Sequence, residues 1–502
     1  MRKNHQEQLS LMEPWLDHEH AKELEAISGL LDANPMISVL ATQDLVPAGT
    51  SKERGREGIS GDLVVRAAIV RQMNGFSYRA LAFHLQDSST YRRFCRLGLA
   101  DDAPKYAALA SNIKALKPAT WEAIHRIVLK EALARGVENG RKVRIDCTPV
   151  ASPIHDPGDA WLLYDVVRVV ARYLAKAKQL CGVVFSNRTR RAKRRMFGVR
   201  ARISARHRER RGARLARCAS EGIASLFRAG MTPPAGMHRR SNAGVILART
   251  LGIHNAKKSS QRKRAYLDLL DVTVETLGFV PAALAKLNAR TGEDWLEGMG
   301  LAAKLRHFEP LGWQVVDQTH RRVFEGEKVP ASDKIVSIFE EHTDIIIKDR
   351  RAVHYGHKVC LSTGASALVL DCQILSGNPA DSTLVEEVLN RHADIFGKVP
   401  RQAALDGGFA SRANVKLAKE NGVEDVCLSK RRGIEITDMV KSTWVYERLK
   451  RFRAGVEAGI SFLKRCFGMD RCRWRGLQSF RSYVWASVVT CNLLILARHV
   501  LH

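Results

Sequence analysis

Between residues 60 and 135 the apolar positions recur with the period of a helix. In "GDLVVRAAIVRQMNGFSYRALAFHLQDSSTYRRFCRLG", Leu63, Ala67, Val70 and Met73 share one face. The pattern breaks at Asn74-Gly75 and restarts behind Ser77, whose hydroxyl suits an N-cap, so two short helices around a tight turn are predicted. A second helix-rich stretch is expected from about 156 to 310. From Trp313 the pattern changes to short runs rich in Val, Ile, Leu and Thr, separated by Gly, Pro or charged turns: "WQVVDQTHRRVF", "KIVSIFEEHTDIIIK", "GHKVCLSTGASALVLDCQIL" and "VPRQAALDGGFAS". These read as strands, as do the earlier "KVRIDCTPVAS" (142–152) and the later "EDVCLSK". Between them lie an amphipathic helix over 381–397, capped by Asp381 or Ser382, and another in "SRANVKLAKENGV", stopped by Gly422. Long helices follow from Trp444. Tyr483 to Ala497 is uncharged but contains Ser487, Thr490 and Asn492, and falls short of the roughly 20 apolar residues that span a bilayer. It reads as a buried helix. The sum is an α/β layer behind an all-helical N-terminal region.

Charge sharpens this picture. The chain has 502 residues, enough for two to four domains, and is 45% hydrophobic. Lys and Arg number 81 against 52 Asp and Glu, a net charge of +29, so an extended polyanion is the natural partner, with nucleic acid first and a membrane surface excluded by the absence of a spanning run. The opening "MRKNHQEQLSLMEPW" lacks the apolar core of a secretory signal, which predicts a cytoplasmic, nucleoid-associated protein. The ten cysteines contain no CxxC pair and read as reduced thiols. Cys466 and Cys472, flanked by basic residues, are the only spaced pair that suggests metal ligands.

Two basic regions have different textures. The run "NRTRRAKRRMFGVRARISARHRERRGARLAR" (187–217) holds fourteen cations, Arg190, Arg191, Arg194 and Arg195 among them, against the single acid Glu209. Such a density repels itself unless a polyanion neutralises it, and with so few aromatics it suits backbone phosphates. The 60–96 region instead mixes Tyr78 and Tyr91 with the isolated cations Arg79, Arg92 and Arg93. It fits a helix-turn-helix that touches phosphates and bases, and equally an ordinary helical hairpin with a basic outer face.

Three acids have contexts that suit chemistry. Asp146 follows "KVRI", and Asp406 ends "RQAAL" and is followed by Gly407-Gly408. Both stand where a strand ends, which is where ligands bind in open α/β sheets, and the glycine pair lets the backbone leave without covering the carboxylate. Glu457 lies on a predicted helix, with Arg453 four residues before it and Lys464 seven after, all on one face. Two aspartates and a glutamate are hard oxygen donors that can hold two Mg²⁺ or Mn²⁺ ions about 3.5–4 Å apart, an arrangement that activates water or a 3′-hydroxyl at a scissile phosphate. Arg453 and Lys464 would then hold DNA phosphates. Asp371 in "LVLDCQ" rivals Asp406, and Glu447 rivals Glu457, but neither has both the glycine exit and the basic helical face.

The segments "RIDCTPVASPIHDPGDAWLLYDVV", "YGHKVCL", "GNPADSTLVEEVL", "AALDGGFAS" and the Arg453, Glu457, Lys464 spacing resemble the DDE transposases of bacterial insertion sequences. "GFSYRALAFHLQDSSTYRRF" resembles the helical DNA-binding region of the same group. The resemblance implies an RNase H-like mixed sheet flanked by helices, an all-helical N-terminal DNA-binding region and a large helical basic insertion. The implied layout is an N-terminal segment 1–59, a DNA-binding region 60–138 and a catalytic domain 139–502 interrupted at about 156–310. It also implies a metal-dependent enzyme that binds the terminal repeats of its element as double-stranded DNA, cleaves with metal-activated water and joins the 3′-hydroxyl ends to target DNA. Working on two ends, it would act as a homodimer or larger assembly. A non-catalytic DNA-binding relic and an RNase H-like nuclease without strand transfer are the alternatives. The group often has a Tyr three residues before the Arg, where this chain has Lys450, with Tyr446 out of register.

Overall fold

The computed structural model describes residues 17–46, 58–98, 100–201, 260–261, 263–291, 294–348, 352–428 and 433–501. They fall into two compact units, one of Met1–Pro153 with His342–His502 and one of Ile154–Glu341.

The first unit opens with seven helices: α1 (Glu19–Asp32), α2 (Met36–Leu45), α3 (Gly61–Asn74), α4 (Tyr78–Asp87), α5 (Ser89–Phe94), α6 (Tyr106–Ala115) and α7 (Pro118–Ala134). The expected break after α3 is there. Gly75 takes φ 64°, a left-handed conformation that costs glycine little, and the Ser77 hydroxyl accepts the Ala80 N–H. One detail differs from expectation. The second helix stops at Asp87 and the Ser88 hydroxyl caps a separate one by accepting the Tyr91 N–H, so Tyr91, Arg92 and Arg93 sit on a third helix. After α7 comes strand β1 (Lys142–Ala151).

The second unit is all helical among its described residues. It contains α8 (Asp159–Cys181), helical residues 189–201 and 263–278, α9 (Val280–Asn288) and α10 (Trp295–His320), packed around a core of its own that includes Leu163, Val167, Leu174, Met196, Leu269 and Val315. This corrects the expected change of texture at Trp313. "WQVVDQTH" is the last part of α10, and Gly312, Val315, Gln318 and Thr319 are buried at helical spacing, so period outweighs β-branched composition. Of "KIVSIFEEHTDIIIK", only the last five residues form a strand.

Back in the first unit, a sheet is completed by β2 (Asp344–Lys348), β3 (Ala352–Thr363), β4 (Val369–Ile374), β5 (Gln402–Leu405) and β6 (Asp425–Cys427). The order is β2-β3-β1-β5-β6, with β4 also paired to β3. β3 runs antiparallel to β1, β2 and β4, whereas β5 runs parallel to both β1 and β6. Parallel neighbours need crossovers, supplied here by α11 (Val385–Phe396) and α12 (Arg412–Glu420). Gly422, at φ 93°, follows α12 as expected. Asp381 and Ser382 do not cap α11: they lie in a 3₁₀ turn, Asp381–Thr383, and α11 starts after it without a side-chain cap.

Two long helices close the chain, α13 (Thr443–Cys466) and α14 (Leu477–Leu501). Only α14 among the described helices is by itself long and apolar enough to cross a membrane, and it is mostly buried against α1, α3, α7 and β4. Its polar residues are used inside the core. The Asn492 amide accepts the Val369 N–H at 2.9 Å and donates to the Val369 carbonyl at 2.7 Å, satisfying both backbone groups at the start of β4. Replacing Asn492 with Leu strands the buried Val369 N–H at about 1–3 kcal/mol, while His125 Nε2 still reaches the Val369 carbonyl at 2.8 Å. A lowered urea midpoint followed by tryptophan fluorescence is the expected outcome.

Candidate active site

The pairing of β1 with β5 brings two parts of the chain together that are distant in sequence. Their parallel register runs Lys142↔Gln402, Val143↔Ala403, Arg144↔Ala404 and Ile145↔Leu405. Asp146 and Asp406 are the next residue on each strand. They therefore sit at the same level of neighbouring strands, which lie about 4.8 Å apart. Only Asp406 stands at a strand end as expected: β1 runs on to Ala151 because β3 continues to pair with it, so Asp146 is midway along β1, opposite Leu361. Asp146 is half-buried and its Oδ1 accepts the Cys147 N–H at 2.7 Å. Asp406 ends its strand with extended backbone, φ −70° and ψ 165°, and the chain turns at once through a 3₁₀ turn, Gly407–Phe409.

Helix α13 packs on β1 and β5. Arg453 donates through Nη1 to Asp406 Oδ1 at 2.7 Å. One turn further, Glu457 is exposed. Lys464 donates to the Pro149 carbonyl at 3.0 Å and lies 3.9 Å from Asp470. From the sheet side, Arg144 donates to the Phe452 carbonyl at 3.1 Å and to Thr363 Oγ1 at 2.9 Å, with its guanidinium 4.9 Å from the centre of the Phe452 ring. Sequence reading passed over Arg144, although strand alternation puts it on the face of Asp146.

The rival acids are occupied elsewhere. Asp371 is 3% exposed and holds Arg391 by two bonds of 2.7 and 2.6 Å, an arrangement that belongs to the core. Glu447 is exposed and pairs with Lys450 at 3.6 Å. Tyr446, out of register in the sequence, is buried and donates its hydroxyl to the Leu428 carbonyl. Cys466 is exposed and Cys472 buried, and no cluster of three His, Cys, Asp or Glu suited to a metal occurs among the described residues. The carboxylates of Asp146 and Asp406 fit a hard divalent cation in chemistry and in strand level, but one Asp406 oxygen is taken by Arg453.

The cations expected on DNA divide by burial. Arg79 is exposed, with its guanidinium 5.2 Å from the Tyr106 ring centre. Arg93 is half-buried. Arg92 corrects the expectation: it is buried, and donates to the carbonyls of Leu85, Gly98 and Asp101, so it holds α5 in place rather than facing outward. In the basic run, Arg190, Arg194 and Arg195 are exposed and Arg191 half-buried. The run is also less unopposed than its sequence suggested. Asp268 pairs with Arg195 at 2.9 Å and Arg191 at 3.4 Å, and Glu275 pairs with Arg188 at 2.9 Å. The cations from Arg202 to Arg217 lie outside the described residues.

Two family models match the chain. The Transposase DDE domain matches residues 314–493, a span that includes Asp406, Arg453, Glu457 and Lys464 and begins after Asp146. The Transposase domain (DUF772) matches residues 11–115, the helical region that includes Arg79, Arg92 and Arg93. Neither a curated protein nor a solved structure matches. A helical domain and a DDE domain of transposases thus occur in order around a sheet that sets two aspartates level on adjacent parallel strands: the chain belongs to the DDE transposases of insertion sequences.

Proposed function

We propose that the protein binds the terminal repeats of its element as double-stranded DNA, hydrolyses a phosphodiester at each end and joins the resulting 3′-hydroxyls to target DNA, with Asp146, Asp406 and Glu457 as its catalytic carboxylates. The observation that carries this reading is the β1–β5 register, which sets Asp146, midway along β1, side by side with Asp406, at the exit of the parallel strand β5. The strand order supports an RNase H-like domain: β1 is central, antiparallel β3 and β4 lie to one side, and parallel β5 and β6 lie to the other.

Glu457 is supported by a length argument. Arg144 meets Phe452 and Pro149 meets Lys464, so β1 and α13 are tied at both ends of one stretch. Five residues of strand cover about 16 Å and twelve of helix about 18 Å, so the two run alongside each other. Asp146, about 7 Å past Arg144, is then level with the helix four to five residues past Phe452, at Val456 and Glu457. Glu447 precedes the Phe452 contact and falls beyond that stretch.

Asp146, Asp406 and Glu457 would hold the divalent cations, two Mg²⁺ or Mn²⁺. When bound, such ions supply an activated water or 3′-hydroxyl and stabilise charge on the leaving oxygen. The remaining work belongs to the chain. Arg453 and Lys464 offer cations to the phosphates on either side of the scissile bond, and Arg453 changes partner from Asp406 to phosphate as it does so. Arg79 and its neighbours on α4 read the element's ends, while Arg190, Arg194 and Arg195 add sequence-independent phosphate contact. Handling two ends calls for a homodimer or larger assembly.

The decisive experiment is incubation of the purified protein with its flanking DNA ends and Mg²⁺, with products mapped to the nucleotide; hydrolysis without joined product would reduce the activity to that of a nuclease. Asp146→Ala, Asp406→Ala and Glu457→Ala should each abolish cleavage and leave DNA affinity largely intact, and near wild-type cutting by any of them removes that residue from the site. Replacing Arg190, Arg191, Arg194 and Arg195 by Ala should flatten the dependence of log affinity on log salt, whose slope is about −0.9 per phosphate contact on duplex DNA. Arg79→Ala should instead reduce the preference for element ends over random DNA by about 1–3 kcal/mol in a competition assay at fixed salt, because a base contact is lost and most phosphate contacts remain.

A further inference from the structure

We propose that Lys358, Asp381 and Asn414 form a clamp that positions Asp406, and that Asp381 and Lys358 act on the metal through Asp406 rather than by touching it. This rests on the reading of Asp406 as a catalytic carboxylate. Asp406 is the last residue before a turn, so its direction depends on what holds Gly407–Phe409. That turn is fastened to the other 3₁₀ turn of the unit, Asp381–Thr383. The Asn414 amide donates to both, to the Phe409 carbonyl at 2.8 Å and the Ser382 carbonyl at 2.9 Å. Gly408 completes the join, because a Cβ there would overlap Asp381 Oδ2 and approach its Cβ and Cγ to 3.2 Å. Any larger residue there would displace the Asp381 carboxylate from its place against the turn.

Asp381 is in turn anchored to the sheet. Lys358, on β3 opposite Pro149 of β1, pairs with Asp381 Oδ1 at 2.7 Å and donates to the Pro379 carbonyl at 2.6 Å. Cys147, the residue after Asp146, lies against the same carboxylate. Its thiol interacts with Asp381 and, across the strands, with Cys360. One carboxylate thus stands beside the neighbours of both aspartates. The contacts close a ring: Lys464 on Pro149, Pro149 opposite Lys358, Lys358 on Asp381, Asp381 against Gly408, and Asp406 on Arg453 of the helix that also carries Lys464. Groups that orient metal ligands from outside typically alter metal affinity by about 10–100-fold when removed.

Mn²⁺ binding to the full-length protein, followed by water-proton relaxation, separates this role from the alternatives. Asp381→Asn keeps the shape against Gly408 and removes the charge, and Lys358→Gln removes its partner. Each should weaken Mn²⁺ by about 10–100-fold and raise the Mn²⁺ needed for half-maximal cleavage by a similar factor. The rate at saturating Mn²⁺, the affinity for end DNA and the melting temperature should stay near wild type. The double variant should be no weaker than the worse single one. Lys358→Gln is the sharper arm, since deleting a cation near a metal site strengthens binding by charge alone; tighter or unchanged Mn²⁺ there overturns the clamp. A lowered melting temperature with unchanged Mn²⁺ dependence also overturns it, by making the contacts structural only. Should Asp381→Asn fail to fold, Lys358→Gln decides by itself. Asp406→Asn tests the underlying reading separately: wild-type Mn²⁺ binding and cleavage in that variant would remove Asp406 from the site, whereas its loss combined with an unaffected Lys358→Gln would overturn the clamp alone.

Discussion

The parallel pairing of β1 with β5 is the constraint on which the site depends. Its register puts Asp146, midway along β1, level with Asp406, just past the end of β5, one strand spacing apart. Two carboxylates about 5 Å apart repel by roughly 3 kcal/mol at an effective dielectric of about 20, so the arrangement needs countercharge. Arg453 provides it for Asp406 by a direct ion pair, and the Cys147 amide turns a backbone dipole toward Asp146.

How much of this was legible in the sequence depended on the range of the interaction. Local signals worked: the break at Gly75, the Ser77 cap, the Gly422 stop and the four strands from "GHKVCL" to "EDVCL" follow from turn chemistry and β-branched runs. "WQVVDQTH" misled because two adjacent valines weigh heavily in a short window, and only the 26-residue span of α10 reveals the helical period. Arg92 misled for another reason. A cation beside Arg93 on a short helix reads as surface, and nothing nearby in sequence shows that three carbonyls, from Leu85 to Asp101, turn toward it. Asp381 looked like a helix cap because "DST" before an amphipathic run is a cap signature; its partners, Lys358 and the 407–409 turn, lie more than twenty residues away on either side.

The 260-residue interval between Asp146 and Asp406 has a simple physical basis in the fold. The chain leaves the sheet just after β1, at Pro153, and the helical unit that follows buries its own apolar residues in a separate core. Such an insertion leaves the sheet intact if the strand end it departs from is closed off. Here Ala151 donates its N–H to the Asp470 carbonyl at 3.0 Å and accepts the Cys472 N–H at 2.8 Å, so the last residue of β1 is bonded to the segment after α13 before the chain departs. The strand that carries Asp146 keeps its partners whatever the length of the insertion.

The same economy governs the charges around the proposed centre. Asp406 has Arg453, Asp381 has Lys358, and Asp371 has Arg391. A site whose metal is structural gathers its ligands so tightly that the fold fails without the ion. Here Asp406, Asp381 and Asp371 are each balanced by a cation and Asp146 accepts a backbone N–H, so folding does not have to wait for a metal to suppress their repulsion. The pairs differ in what they allow. Asp371 and Arg391 are locked by two bonds with Asp371 buried, whereas Arg453 and Asp406 are both partly open to solvent and joined by one. The weaker, wetter pair is the one at the exit of β5, where the Arg453 guanidinium is the more readily released from its carboxylate.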